Sequence, residues 1–378
     1  MGEFADFFVV DADVHINERP EDLIPYCDMP WRKALEASST MPHRYLNIPG
    51  FAPQFSGNRP FWPGGFDKKT VKTPEQLRND LNDLGIDIGV IFPDNLLLIA
   101  TFPQREYAAA LARAYNAYLV DKWCDKQPGL KGVLLAAPQD PQDAAREIEK
   151  YKDEEGIVGV YLPCGGLHTL WGHEMYNPIF EAAESAGLPV ILHSVLTLNS
   201  AFPFNGLEQF ETEFARHAVA HSMSLMFNML RMIETGVPVR FPNLKICFIE
   251  GGLSWVPYMA MRLDKEYLER RRYVQHLEHP PSHYIKNFYY GTQPIEEPEN
   301  ASDLVKIIEL YEGENTTMFA SDWPHHDFDH PRAILKLPVS KDIKRKILGE
   351  NALEFFSIDK HGKRLNLKRK VKEDVTTL

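Results

Sequence analysis

The sequence predicts an α/β fold in which eight parallel strands close into a (β/α)8 barrel. Short β-branched runs alternate with helical patterns along almost the whole chain, which is typical of parallel strands joined by crossover helices. No Gly-x-Gly-x-x-Gly motif follows any of these runs, which argues against a dinucleotide-binding sheet. The length of 378 residues also fits one barrel with insertions. In chain order, the predicted strands cover residues 7–15, 86–94, 130–138, 157–165, 188–195, 244–252, 287–293 and 316–325.

Amphipathic segments between these strands predict the crossover helices. Residues 103–126, 141–155 and 177–186 are three examples. Several segments begin with Pro or Asp and end at Gly, which are common residues at helix starts and ends. The repeated alternation favours a single barrel domain, residues 1–358, followed by a polar and basic tail, residues 359–378.

Two connections are too long to be simple loops. Residues 16–73 follow the first strand, and residues 196–243 follow the fifth. Loops at the carboxyl ends of barrel strands build active sites, so we expect both insertions to act as lids over a substrate. A subunit interface is the alternative use of such long segments. The first insertion is rich in aromatic residues, which indicates an apolar or aromatic substrate body; these residues are Phe51, Phe55, Phe61 and Trp62.

Composition excludes several classes of partner. The chain has 41 Lys and Arg against 53 Asp and Glu, a formal net charge of −12, which disfavours nucleic acids and anionic membranes. The four cysteines form no Cys-x-x-Cys pair, so neither a disulfide framework nor a cysteine zinc site is expected. No leader-like segment or run of 18 apolar residues occurs. We therefore expect a cytoplasmic protein that acts on a small molecule.

The first predicted strand ends in a concentration of polar residues. Asp11, Asp13 and His15 alternate along it, so we expect their side chains to project to one side, toward the barrel axis at its carboxyl-terminal mouth. Burying carboxylates is costly unless they are paired, and one divalent cation can pair with several at once. This run therefore predicts a metal site.

Two further strand ends supply groups of the same kind. His193 ends the fifth predicted strand, and Asp322 lies near the end of the eighth. Taken singly, such a histidine is an ordinary hydrogen-bonded core residue and such an aspartate caps a helix. Four nitrogen and oxygen ligands at one mouth instead favour a metal shell, closed or with one position open to water.

These motifs resemble the amidohydrolase superfamily, specifically the amidohydrolase-related group that includes the aminocarboxymuconate-semialdehyde and γ-resorcylate decarboxylases. The first-strand motif of that group matches Asp13 and His15, the fifth-strand histidine matches His193, and the eighth-strand aspartate matches Asp322. The segments RFPNLKICFIEGG and KILGENALEFF resemble its sixth-strand region and its final segment, so the likeness runs from about residue 7 to residue 357. The resemblance implies a metal-dependent barrel enzyme and a homodimer.

Two positions depart from the pattern of those decarboxylases. Asp13 stands where His or Glu is usual, and Glu250 replaces a sixth-strand histidine that takes part in proton transfer. A carboxylate can act as acid or base if its pKa is raised. Asp13, Glu250 and Asp322 carry three negative charges if all are ionised. One divalent ion leaves them net negative, and two ions with a bridging hydroxide come close to neutral, with Glu250 as a ligand or bridge. The expected cofactor is thus one or two divalent ions of Zn, Mn or Fe.

We expect hydrolysis of a carbonyl bond, in an amide, ester, thioester or lactone, as the main activity. A metal lowers the pKa of bound water, and Asp322 would accept the proton as that water attacks. Non-oxidative decarboxylation of an aromatic or muconate-type acid is the alternative, weakened by Glu250 in place of histidine. A barrel that only binds a ligand is the third possibility.

Other residues are weaker candidates for the site. His217 and His221 share one helix face in HAVAH, and His221 either leans over the site as a catalytic residue or packs. Trp62, Trp171 and Arg332 are the predicted substrate-binding residues. The loop after the eighth strand is expected either to orient the metal ligands or to face solvent; its polar residues are His325, His326, Asp327, Asp329 and His330. His168 and His173, after the fourth strand, are expected either to contact substrate or to lie in a surface loop.

Overall fold

Eight parallel strands form one sheet whose spatial order is the order of the chain. The computed structural model describes residue 4 and residues 6–40, 71–195 and 207–365. Each neighbouring pair of strands is parallel, from β1 with β2 to β7 with β8. All eight predicted strands are confirmed, and so is the barrel. The strands are β1 Val10–Ile16, β2 Ile88–Pro93, β3 Leu130–Leu135, β4 Ile157–Pro163, β5 Val190–His193, β6 Ile246–Ile249, β7 Tyr289–Gly291 and β8 Thr317–Met318.

Helices flank the strands in the described part of the chain, and local sequence explains where several of them begin and end. Thr73 caps the third helix by accepting a hydrogen bond from the backbone of Gln76, and Gly85 ends it with a left-handed φ of 78°. The helices are α1 Pro20–Leu23, α2 Trp31–Thr40, α3 Pro74–Leu84, α4 Arg105–Lys122, α5 Pro141–Tyr151, α6 Asn177–Ala186, α7 Glu213–Glu234, α8 Val237–Arg240, α9 Trp255–Arg270, α10 Pro281–Ile285, α11 Ala301–Leu310, α12 Arg332–Leu335, α13 Lys341–Arg345 and α14 Asn351–Phe356.

The barrel closes between its first and last strands by backbone hydrogen bonds that extend beyond β8. The amide of Ala12 donates to Phe319 at 3.0 Å, the amide of Asp322 donates to Asp13 at 3.0 Å, and the amide of His15 donates to Trp323 at 2.7 Å. Within the predicted strand 316–325, only Thr317–Met318 form a regular strand. The residues that follow still form backbone hydrogen bonds with β1. This pairing fixes Asp322 beside the polar end of β1.

The two insertions are only partly within the described residues. Helices α1 and α2 belong to the first, and α7 and α8 belong to the second. Phe51, Phe55, Phe61 and Trp62 lie outside the described residues, so the lids stay a prediction. The homodimer and the cytoplasmic location also stay predictions. No helix within the described residues has both the length and the apolar character needed to cross a bilayer.

The start of the predicted tail is folded against the barrel. Ile358 and Arg364 form an antiparallel bridge, and the amide of Arg364 donates to the carboxylate of Glu155 at 3.2 Å. The ordered contacts therefore continue to residue 365, past the predicted boundary at residue 358.

Candidate metal centre and active site

The buried end of β1 meets the end of β5 at the mouth of the barrel. Asp13 Oδ1 lies 3.2 Å from His15 Nε2 and 3.3 Å from His193 Nε2, and all three side chains are fully buried. One ligand atom from each lies within 4.8 Å of the others, as a shared metal ion requires. The strand ends thus bring together three of the predicted ligands.

The fourth predicted ligand lies on the other side of His15. Asp322 Oδ1 is 3.0 Å from His15 Nε2, and its backbone has a left-handed φ of 63°. The same oxygen is 2.6 Å from Nδ1 of His325, whose ring stacks on that of His15 with centroids 4.2 Å apart. His15, Asp322 and His325 form a second group that can hold a metal ion. His325, which the sequence places only in the loop after the eighth strand, therefore contacts two of the predicted metal ligands directly.

The ligand atoms of this cluster face one another, but their contacts in the described part of the chain are not hydrogen bonds of normal geometry. Both carboxylate oxygens of Asp13 lack such a hydrogen bond, as do Nε2 of His15 and of His193 and Oδ1 of Asp322. Buried polar atoms without partners are costly, and each such group calls for an explanation. A divalent cation among them supplies that explanation, so the residues fit the predicted cofactor.

The orientation of the two imidazoles supports a metal at the same place. Nδ1 of His15 contacts the carbonyl oxygen of Pro93 at 2.7 Å, and Nδ1 of His193 contacts the carbonyl oxygen of Ser194 at 2.7 Å. A carbonyl only accepts, so Nδ1 carries the proton in each ring and the lone pair of the neutral ring is on Nε2. Both lone pairs then face Asp13, which is the arrangement of metal-binding histidines fixed by a second contact.

The charges of the cluster shift its pKa values strongly. Burial would raise the pKa of Asp13, but the neighbouring His193 and His15 outweigh it and lower this pKa to about 2. Burial would likewise lower the pKa of His15 and of His193, but Asp13 outweighs it and raises both well above the usual range. The raised pKa values mean that protons compete with a metal ion for the two rings, so metal binding weakens as pH falls.

A second hydrogen-bonded group lies behind His193. Glu250, one residue past β6, has Oε2 2.5 Å from Ser194 Oγ, which donates to it, and 3.1 Å from His193 Nδ1. Ser194 Oγ is also 2.5 Å from Nδ1 of His221 on α7. Glu250 therefore contacts the edge of His193 that faces away from Asp13, and it is absent from the metal-capable groups of the described residues. These contacts favour an orienting role over the predicted role of metal ligand or bridge.

Charge couples the members of this group. Burial would raise the pKa of Glu250, but His221 and His193 outweigh it and lower this pKa well below its usual range. Burial would lower the pKa of His221, but Glu250 outweighs it and raises it. Glu250 and His221 are thus held as an ion pair bridged by Ser194, a residue that sequence reasoning missed although it directly follows His193.

Several other predicted residues lie elsewhere. Trp171 is fully buried, its indole donates to the carbonyl of Pro163 at 2.8 Å, and its ring packs on Tyr176. These contacts favour a role in the core, and substrate contact by Trp171 stays a prediction. Arg332 is exposed at the start of α12, and its role stays a prediction. Trp62 lies outside the described residues. His173 caps the turn that begins at Glu174, which is a structural role.

Asp11 is buried beside the cluster but is absent from its metal-capable groups among the described residues. A β-bulge lies between Asp11 and Val14, which re-aims side chains along β1. Asp11 Oδ1 instead accepts the backbone amides of Asp13 at 3.1 Å and of Ser321 at 2.8 Å. Its carboxylate therefore helps to tie β1 to the segment after β8.

Asp11 gives a testable pH dependence of stability. Burial raises its pKa to about 8 in the folded protein, whereas the unfolded chain has the ordinary value of about 3.9. Between these values the folded state binds a proton that the unfolded state does not, so this group lowers the free energy of unfolding as pH rises from about 4 to about 8. Asp11→Asn removes this titrating group. We therefore expect the Tm of the unsubstituted protein to fall between pH 5 and pH 8 by about 5 °C more than the Tm of Asp11→Asn. Thermal melts that show the same pH trend in both proteins would contradict this.

Comparison with known proteins identifies the family. The family model described as amidohydrolase matches residues 94–358. The chain therefore belongs to the amidohydrolase family, as its motifs predicted, and it is an enzyme of that superfamily.

Individual relatives are more distant. The chain is 25% identical to γ-resorcylate decarboxylase of Rhodococcus jostii over 70% of this chain and 82% of that protein. It is 24% identical to γ-resorcylate decarboxylase of a Polaromonas species, over 86% of this chain and 98% of that protein. The fold is similar to 5-carboxyvanillate decarboxylase of Novosphingobium aromaticivorans, solved with manganese and 4-hydroxy-3-methoxy-5-nitrobenzoic acid, at 22% identity with a TM-score of 0.70, covering 95% of this chain and 98% of that one.

These comparisons contradict the prediction of hydrolysis. The curated relatives named above are decarboxylases, and so is the solved structure with a similar fold. The ligand set does not distinguish the two reactions, because a bound metal ion can activate water or hold a carboxylate, so the prediction had rested on Glu250 standing in place of a histidine. A divalent metal cofactor, in contrast, agrees with the manganese of the related structure and with the metal-capable groups of this chain.

Proposed function

We propose that this protein is a metal-dependent, non-oxidative decarboxylase of a small aromatic or muconate-type carboxylic acid. One observation carries the proposal. The ligand atoms of Asp13, His15, His193 and Asp322 converge, without hydrogen bonds of normal geometry, at the mouth of a barrel whose curated relatives named above are decarboxylases. The same groups would serve hydrolysis, so it is the similarity to decarboxylases that favours decarboxylation.

Asp13, His15, His193 and Asp322 are the residues that would hold the metal. When bound, a divalent ion supplies positive charge that holds the substrate carboxylate and a neighbouring hydroxyl or carbonyl oxygen. His325 keeps the cluster in place, because it contacts Asp322 and stacks on His15.

Proton transfer is the task that remains for the protein. Decarboxylation breaks the bond between the substrate carbon and its carboxyl carbon, carbon dioxide leaves, and the electron pair left on the substrate carbon takes up a proton. We assign the delivery of that proton to His221, because Glu250 raises the pKa of its imidazole, which favours the protonated form, and about a tenth of its side chain is exposed at the edge of the site. Ser194 keeps the imidazole and the carboxylate in one hydrogen-bonded group.

Loss of labelled carbon dioxide tests this function directly. The manganese-loaded protein is incubated with γ-resorcylate and 5-carboxyvanillate that carry ¹³C in the carboxyl group, and with unlabelled aryl esters and amides of the same acids. We expect ¹³CO₂ and a product lighter by the mass of CO₂ from at least one acid. Turnover of the esters or amides with addition of water, and no CO₂ from either acid, would contradict the proposal. A His15→Ala protein is the control for background loss of CO₂.

A further inference from the structure

Three polar side chains that the proposed reaction does not use meet near the barrel mouth. They are His217 on α7, and His326 and Asp327 in the loop after β8, and we call them the rim cluster. Asp327 Oδ2 lies 3.3 Å from His217 Nε2, and its Oδ1 lies 3.1 Å from His326 Nδ1. One ligand atom from each residue lies within 4.8 Å of the others.

The spacing and donor types of the rim cluster match those of a metal shell. Ligands 2.0–2.1 Å from a tetrahedral zinc lie about 3.3–3.4 Å from each other, close to the separation of Asp327 from His217. The buried cluster has the same spacing, with 3.3 Å between Asp13 and His193. Two imidazoles and one carboxylate are a donor set that suits zinc and its neighbours in the transition series.

The rim cluster is also held in place from two directions. The backbone carbonyl of Asp327 accepts a hydrogen bond from the Gln293 side chain at 3.5 Å, and two residues later the amide of Asp329 donates to Ser321 at 2.8 Å. The third member of the rim cluster, His217, lies on the long helix α7, where its ring centroid is 4.9 Å from that of His221. The three ligands thus come from two anchored elements, the helix α7 and the loop after β8, so little reordering is needed to bind an ion.

Exposure separates this cluster from the buried one. The side chains of His217, His326 and Asp327 are 28%, 21% and 27% exposed, whereas Asp13, His15 and His193 are fully buried. Three protein ligands with access to solvent leave further coordination positions for water or for an anionic group of a small molecule, as in open zinc sites.

We propose that His217, His326 and Asp327 bind a second divalent transition-metal ion of the zinc type, in addition to the ion held by Asp13, His15, His193 and Asp322. This second site is an open one at the barrel mouth. It does not depend on which reaction the buried site catalyses. An ion-paired surface cluster without metal is the competing explanation of the same contacts.

Counting zinc ions per chain tests the rim site. The wild-type protein is dialysed to equilibrium against buffered Zn²⁺, and bound zinc is measured by elemental mass spectrometry. We expect two equivalents in the wild type and one equivalent in both His217→Ala and Asp327→Asn. His279→Ala is the matched control and keeps two, because His279 and His283 form an exposed histidine pair with rings 4.1 Å apart and belong to no metal-capable group of the described residues.

A buried-site variant shows which ion is lost. His193→Ala is expected to keep one equivalent, and His193→Ala combined with His217→Ala none. One equivalent in the wild type, or two in both rim variants, would overturn the rim site. Circular dichroism melts establish that each variant is folded, and the two rim variants alter separate elements, so misfolding of one leaves the other as a test. The labelled-CO₂ assay is a separate measurement, so failure of the decarboxylase proposal leaves this count unaffected.

Discussion

His193→Ala is expected to release the buried metal ion and to lower kcat/KM for decarboxylation by at least about 1,000-fold, or about 4 kcal/mol of transition-state stabilisation. His193 places Nε2 3.3 Å from Asp13, so its loss removes one ligand and leaves a buried carboxylate with one fewer cationic neighbour. Metal content and turnover are measured on the same preparation, at the pH where the wild type is most active.

Two comparisons separate metal loss from general damage to the fold. His15→Ala removes another ligand and is expected to have the same effect on both readouts, whereas His279→Ala removes an exposed histidine and is expected to change neither. The Tm of each protein is recorded with and without added Mn²⁺, which should stabilise the wild type more than His193→Ala. Full metal content together with wild-type turnover in His193→Ala would show that this cluster is not the functional site.

The main site could be predicted because its members lie at strand ends. Period-two alternation places Asp13 and His15 together on β1, and parallel strands bring their carboxyl ends to one mouth, so His193 joins them from far along the chain. Neither inference requires knowledge of side-chain packing. The β-bulge after Asp11 shows the limit of this rule, since alternation predicted one shared side for three residues, whereas only two of them belong to the metal-capable group.

Contacts that depend on packing were not predictable in the same way. The Ser194 hydroxyl meets Glu250 after 56 residues of chain and His221 after 27, and no periodic pattern encodes such a meeting. Trp171 reads as an exposed loop residue between His168 and His173, but Asn228 on α7 binds its backbone and Pro163 accepts its indole proton. Tertiary contacts thus placed in the core a residue that local sequence assigned to substrate.

The replacement of histidine by Glu250 has a different meaning in the folded protein. As a sequence difference it removes a proton-transfer group and so disfavours decarboxylation. In the structure the carboxylate raises the pKa of His221, a histidine supplied by α7. His221, which lies in the insertion after β5, therefore still provides an acid beside the metal centre.

Glu250→Gln is expected to lower kcat for decarboxylation by about 100-fold, within the range that proton transfer contributes, while the metal content stays at the wild-type level. The carboxylate raises the pKa of His221, and its removal lets that pKa fall toward about 6.5, the ordinary value for histidine. The reaction needs the protonated imidazole, so activity is lost on the alkaline side, and the alkaline limb of the kcat profile moves to lower pH. The measurement is kcat from pH 5 to pH 9 on manganese-loaded protein.

Two serine variants complete this test. Ser194→Ala removes the hydroxyl that bridges Glu250 and His221, and we expect a smaller loss of kcat, about 10-fold, with a shift of the alkaline limb in the same direction. Ser224→Ala is the matched control, because this buried hydroxyl donates to the backbone carbonyl of His221 at 2.8 Å and does not bond to its ring. A purely structural role would lower kcat or Tm in all three variants and leave the pH limb in place. An unmoved limb in Glu250→Gln would therefore show that His221 does not deliver the proton.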